Sequence, residues 1–99
     1  MECMRSGDIL EARLTGELDH CSAQSIRREL DQQLEDRSIR HLILDMEKMS
    51  FMDSSGIGVI LGRYRVLAAR GGTVSVRNMN AHVQRIFILS GMNQVIGIL

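Results

Sequence analysis

Ninety-nine residues, 44% of them apolar, are enough for one compact domain with a modest core. Twelve basic and twelve acidic side chains cancel to zero net charge and are interspersed along the chain. That balance argues against a nucleic-acid groove or an anionic membrane surface, and three aromatics (Phe51, Tyr64, Phe87) are too few for a base-stacking platform.

The first elements read as a hairpin. Met1–Arg5 is a short strand, Ser6-Gly7-Asp8 a turn, and Ile9–Leu14 a second strand in which Leu10, Ala12 and Leu14 alternate with Glu11 and Arg13. Thr15–His20 is then expected as a polar loop. A helix starts near Ser22, with Ala23, Ile26, Leu30 and Leu34 recurring at spacings of three and four. His41–Asp45 is apolar at nearly every position, as in a central strand covered on both faces, and runs into a loop over Met46–Asp53.

A second helix follows, with Ile57, Ile60, Leu61, Tyr64, Leu67 and Ala68 on one side, and Gly71-Gly72 ends it. Thr73–Arg77 is a strand, and Asn80 caps a third helix in which Val83, Ile86, Phe87 and Ser90 align. Gly91 closes that helix as a left-handed cap with Met92 packing back on Phe87, and Val95–Leu99 is the last strand. The order β-β-α-β-α-β-α-β predicts an α/β domain over residues 1–99, a mixed, mostly parallel sheet of four to five strands with its helices on a common face.

Apolar runs fall far short of the roughly 20 residues a membrane helix needs. No basic-then-apolar leader precedes the first strand, so the expected compartment is the cytoplasm. Cys3 and Cys21 lack CxxC or metal-ligand spacing. A disulfide between them stays open on sequence, while size and compartment favour reduced thiols.

The stretch Phe51–Tyr64, FMDSSGIGVILGRY, carries the functional question. Asp-Ser-Ser starts a helix well, yet that helix contains Gly56, Gly58 and Gly62, each costing about 0.5–1 kcal/mol against alanine. One reading is structural: Asp53 or Ser54 caps, and Gly58 and Gly62, aligned with Val66 and Ala69, let the helix press closely on its neighbours. A nucleophilic serine is disfavoured, because no G-x-S-x-G elbow surrounds Ser54 or Ser55 and Asp53 adjoins the serine instead of orienting a histidine. His41 reads as a satisfied sheet residue and His82 as a solvated helix residue. A phosphate loop is also disfavoured, since GxGxxxG departs from the dinucleotide pattern and no GK[ST] follows. A further reading makes the serine a switch: a phosphate at a helix N-terminus adds about −1.5 to −2 charges that the helix tolerates and a docked partner does not.

The same stretch, preceded by LTGELDH (Leu14–His20) and IRHLILDMEKMS (Ile39–Ser50), closely resembles the STAS-domain anti-sigma-factor antagonists, from about Ile9 to Gly91. The resemblance implies a non-enzyme that needs no cofactor and binds an anti-sigma factor that is also a serine kinase, releasing the sigma factor. It implies phosphorylation of Ser54 as the off switch, a serine phosphatase as the reset, and a capping role for Ser55. It implies a partner surface drawn from Glu17, Asp19, His20, Met52, Asp53, Ser54, Ser55, Gly56, Gly58 and Arg63, with no nucleic acid and no membrane. Alternatives within the same fold are a nucleotide-binding module and a scaffold unit of a stress-signalling complex. The family usually adds a C-terminal helix, which is expected to be lacking after Val95–Leu99.

Overall fold

The computed structural model describes all residues, 1–99. The elements run β1 (Glu2–Ser6), β2 (Ile9–Leu18), α1 (Ala23–Gln33), β3 (His41–Met52), α2 (Ser54–Ala69), β4 (Thr73–Arg77), α3 (Ala81–Leu89), a 3-10 turn (Met92–Gln94) and β5 (Gly97–Ile98). The sheet is ordered β1-β2-β3-β4-β5; β1 is antiparallel to β2, and every later pairing is parallel. A helix between successive parallel strands, always stepping in one direction, is the topology that right-handed crossovers stack on one face.

Register decides which side chains meet. Leu10 stands beside Leu42 and Val74, and Ala12 beside Leu44 and Val76. These rows share one buried face. Leu30 of α1, Ile60 and Leu67 of α2, and Val83 and Phe87 of α3 join them in one apolar cluster. Burial of this continuous face is the dominant stabilising term.

The opposite face is different. Arg13, Asp45 and Arg77 form one cross-strand row, with Arg13 Nε 3.6 Å from the Asp45 carboxylate. Glu11 pairs with Arg77 at 2.5 Å. Asp45 is only 2% exposed. Burial pushes its carboxyl up, but the Glu47 N–H, the Asn78 side chain and the two arginines outweigh that and hold it low. The expectation of a central strand covered on both faces is therefore corrected for His41–Asp45: one face packs in the apolar core and the other carries charge.

Two other expectations are corrected. Thr15–Leu18 and Met46–Met52 are strand, not loop, because β2 and β3 continue pairing past Arg13 and Asp45 with two register shifts. Between those shifts lies Gly16 at φ +94°, in the region that favours glycine. The last strand shrinks from Val95–Leu99 to Gly97–Ile98, with Ile96 buried ahead of it. Asn80 does cap α3, accepting the Val83 N–H at 2.8 Å, and Gly91 is left-handed at φ +79°. Met92 lies with Phe87 in the buried cluster. Both cysteines are free, Cys3 half-buried and Cys21 exposed.

Candidate functional site: the start of the second helix

Asp53 alone separates β3 from α2. Its backbone is extended (φ −121°), and its Oδ1 accepts the N–H of Ser55 at 2.8 Å and of Gly56 at 3.3 Å. Its carbonyl accepts the Ile57 N–H at 3.2 Å. The cap expected of Ser55 thus belongs to Asp53. Ser54, freed from capping, is the first residue of the helix and is exposed. Its side chain stands at the positive end of the helix dipole, which favours negative charge.

The end of β2 builds the adjoining surface. Glu17 pairs with Phe51 and Leu18 with Met52, so the following loop sits beside the start of α2. Asp19 holds that loop in shape: its carboxylate accepts the N–H of Cys21 at 2.9 Å and of Ser22 at 3.0 Å. The Ser22 hydroxyl donates to the Glu17 carbonyl at 2.5 Å. The Ser22 backbone bond is the foremost cause that lowers the Asp19 carboxyl below its ordinary range. Asp19 is therefore engaged with its own loop, whereas Glu17 and His20 are exposed.

Three of the residues expected on the partner surface are inside. Met52 is 1% exposed and Gly56 is buried. A Cβ on Gly56 would stand 2.6 Å from Met52 Cγ and 2.8 Å from the Leu18 carbonyl oxygen, so Gly56 is the glycine of close approach. Gly58 and Gly62 have open space where a Cβ would go, which overturns their close-packing role. They face a groove between α1 and α2 that His20, Ala23, Gln24, Arg27, Ser55 and Arg63 also line.

Arg63 is neither solvated nor freely exposed to a partner. It is 5% exposed, with Nε 3.1 Å from Asp31 Oδ1. Burial lowers its pKa first, Asp31 raises it, and Arg27 adds to the lowering. The apolar side of α2 is accordingly broader than expected: Val59 and Arg63 are buried with Ile60 and Leu67, Ile57, Leu61 and Tyr64 pack on the core partly buried, and Ala68 is exposed.

The histidines find other partners. His41 Nδ1 lies 2.8 Å from the Thr73 hydroxyl, and His82 stacks on Phe51 with ring centroids 5.1 Å apart. Phe51 is 38% exposed and pairs with Glu17, which adds an aromatic to this face that the sequence reading left out. Gln24 and Arg27 were missed as well. Arg27 falls four residues after Ala23, and that spacing was the available signal. No helix is long and apolar enough to cross a membrane.

Comparison with known proteins agrees with this geometry. Residues 1–99 match the STAS domain family. An anti-sigma F factor antagonist of Paenibacillus polymyxa is 39% identical over 91% of this chain and 77% of its own. The unphosphorylated anti-sigma factor antagonist SpoIIAA superposes with a TM-score of 0.85 at 32% identity, over 99% of this chain and 86% of that one. The phosphorylated form of SpoIIAA, a Bacillus cell fate determinant, superposes at 0.76 with 31% identity, over 99% and 89%. A five-stranded mixed sheet, a serine at the exposed start of α2 and these similarities lead to one conclusion: the chain belongs to the STAS-domain family, among the anti-sigma-factor antagonists.

Proposed function

We propose that this protein is a phosphorylation-controlled binding module with no catalytic activity of its own, working in the cytoplasm. Unphosphorylated, it binds an anti-sigma factor that is also a serine kinase and displaces the sigma factor. The kinase transfers phosphate to Ser54 and the complex dissociates, and a serine phosphatase restores the binding form. Glu17, His20, Ser54 and Ser55, flanked by Gly58, make the docking face, while Asp19 and Asp53 hold its two segments in place.

The observation that carries the reading is the position of Ser54: exposed, directly after a cap supplied by another residue. The fold accepts a dianion there, because the helix N-terminus is favourable to negative charge and no buried group is displaced. A partner lying over the same hydroxyl would have to desolvate the phosphate or meet it with like charge, which costs several kcal/mol. The phosphate acts on the interface and leaves the fold in place.

Calorimetry with the anti-sigma factor of the same organism tests this. The unphosphorylated chain binds, and the chain phosphorylated to completion shows at least a roughly hundredfold loss, which about 3 kcal/mol of interface penalty would produce. Equal affinity of the two forms would refute the reading.

A further inference from the structure

The groove between α1 and α2 holds more positive charge than the fold uses. Arg63 Nε and Nη1 are buried and have no hydrogen-bond partner, although Asp31 Oδ1 lies 3.1 Å from Nε. The same Asp31 carboxylate is 3.7 Å from Arg27 Nε on its own helix. One carboxylate thus serves two guanidinium groups, leaving one surplus positive charge and unmet donors on a side chain 5% exposed. Buried charged donors left unpaired are costly, and a structure that retains them gains when a ligand supplies the acceptor.

We infer that this groove receives a single carboxylate, the side chain of an aspartate or glutamate presented by the protein that docks on Ser54. The charge count selects a monoanion: beside Asp31, a dianionic phosphate would overfill a site with one spare positive charge. Gly58 and Gly62 leave the lane free of side chains, in a groove of about 510 Å³. An incoming carboxylate has room to enter the groove that Arg63 lines. The lane continues to Ser55, next to Ser54, so one docked surface covers both. The inference rests on the proposed docking face and adds to it the chemistry of the partner's contact.

Two isosteric variants test it. Gly62→Gln and Gly62→Glu put the same volume into the groove and differ only in whether a carboxylate is already there. Their affinities for the anti-sigma factor, measured by calorimetry, should differ at least roughly tenfold, with Gly62→Glu the weaker. In the wild-type complex the Arg63 Nε–H resonance, followed by 15N NMR, should shift and become protected from exchange. Affinities of Gly62→Gln and Gly62→Glu within about twofold of each other would overturn the groove assignment, as would an unmoved Arg63 signal in a complex that forms. A wild-type chain that fails to bind at all would refute the docking face itself, so the two failures are told apart.

Discussion

The backbone N–H of Asp53 donates to the carbonyl of Leu18 at 3.3 Å, tying the residue that caps α2 to the last residue of β2. This bond joins two segments far apart in sequence into one surface, and Leu18 also closes over Gly56 from the side. The face that carries Ser54 is therefore fixed by strand pairing and helix capping together, and each can be tested by substitution.

Gly56→Ala should destabilise the fold by about 1–3 kcal/mol, because the added methyl meets the Leu18 backbone, which cannot move aside cheaply. Gly58→Ala should do the reverse and stabilise by about 0.5–1 kcal/mol, since its Cβ enters open space and alanine favours the helix. Urea denaturation of both variants checks the pair, and the opposite signs are the point of the comparison.

Removing the cap should loosen the site from the other side. Asp53→Ala loses the acceptor for the Ser55 and Gly56 N–H groups and should cost about 0.5–2 kcal/mol. Hydrogen exchange should quicken at Ser55 and Gly56 in this variant and stay unchanged in the strands.

Acid should weaken the protein in a defined window. Asp19, Asp36 and Asp45 all have carboxyl pKa values lowered from the ordinary 3.8. A depressed folded pKa contributes stability that is complete above the unfolded value and is lost as pH falls through the folded one. The melting temperature should hold down to about pH 4 to 5 and then drop. Asp45→Asn should melt lower at neutral pH, because Arg13 loses its counter-charge and Arg77 is left with Glu11 alone, and its acid slope should be shallower.

How far the sequence showed this arrangement depended on how local the signal was. Asn80, Gly91 and Thr73–Arg77 were readable because caps, left-handed turns and short alternating strands are set by neighbouring residues. The extensions Thr15–Leu18 and Met46–Met52 were not, because Thr15–Glu17 is polar, the buried Met46, Met49 and Met52 recur at threes instead of alternating, and each end is held by pairing with the other, a long-range partnership across Gly16. Arg63 looked like a surface arginine by type. Its burial follows from sharing a helix side with Val59, Ile60 and Leu67, with Asp31 waiting on α1, and no pattern within α2 reveals that second helix. Ser54 was legible through the DSSG stretch, while the assignment of capping to Asp53 and exposure to Ser54 came from geometry.

Charge at Ser54 should be enough to weaken docking. Ser54→Ala should bind the anti-sigma factor close to wild type and resist modification. Ser54→Asp should bind at least roughly tenfold weaker, because one negative charge carries part of the phosphate's penalty. Unchanged circular dichroism and melting temperature in both variants would place the effect in the interface.

The most direct measurement is a phosphosite map. The purified protein is incubated with the anti-sigma factor kinase of its own organism and ATP, then digested and sequenced by mass spectrometry. A single phosphate on Ser54, with Ser55 unmodified and the product released from the kinase, is the predicted result. Phosphate on Ser55 or elsewhere, or a Ser54-phosphorylated chain that stays bound, would contradict it.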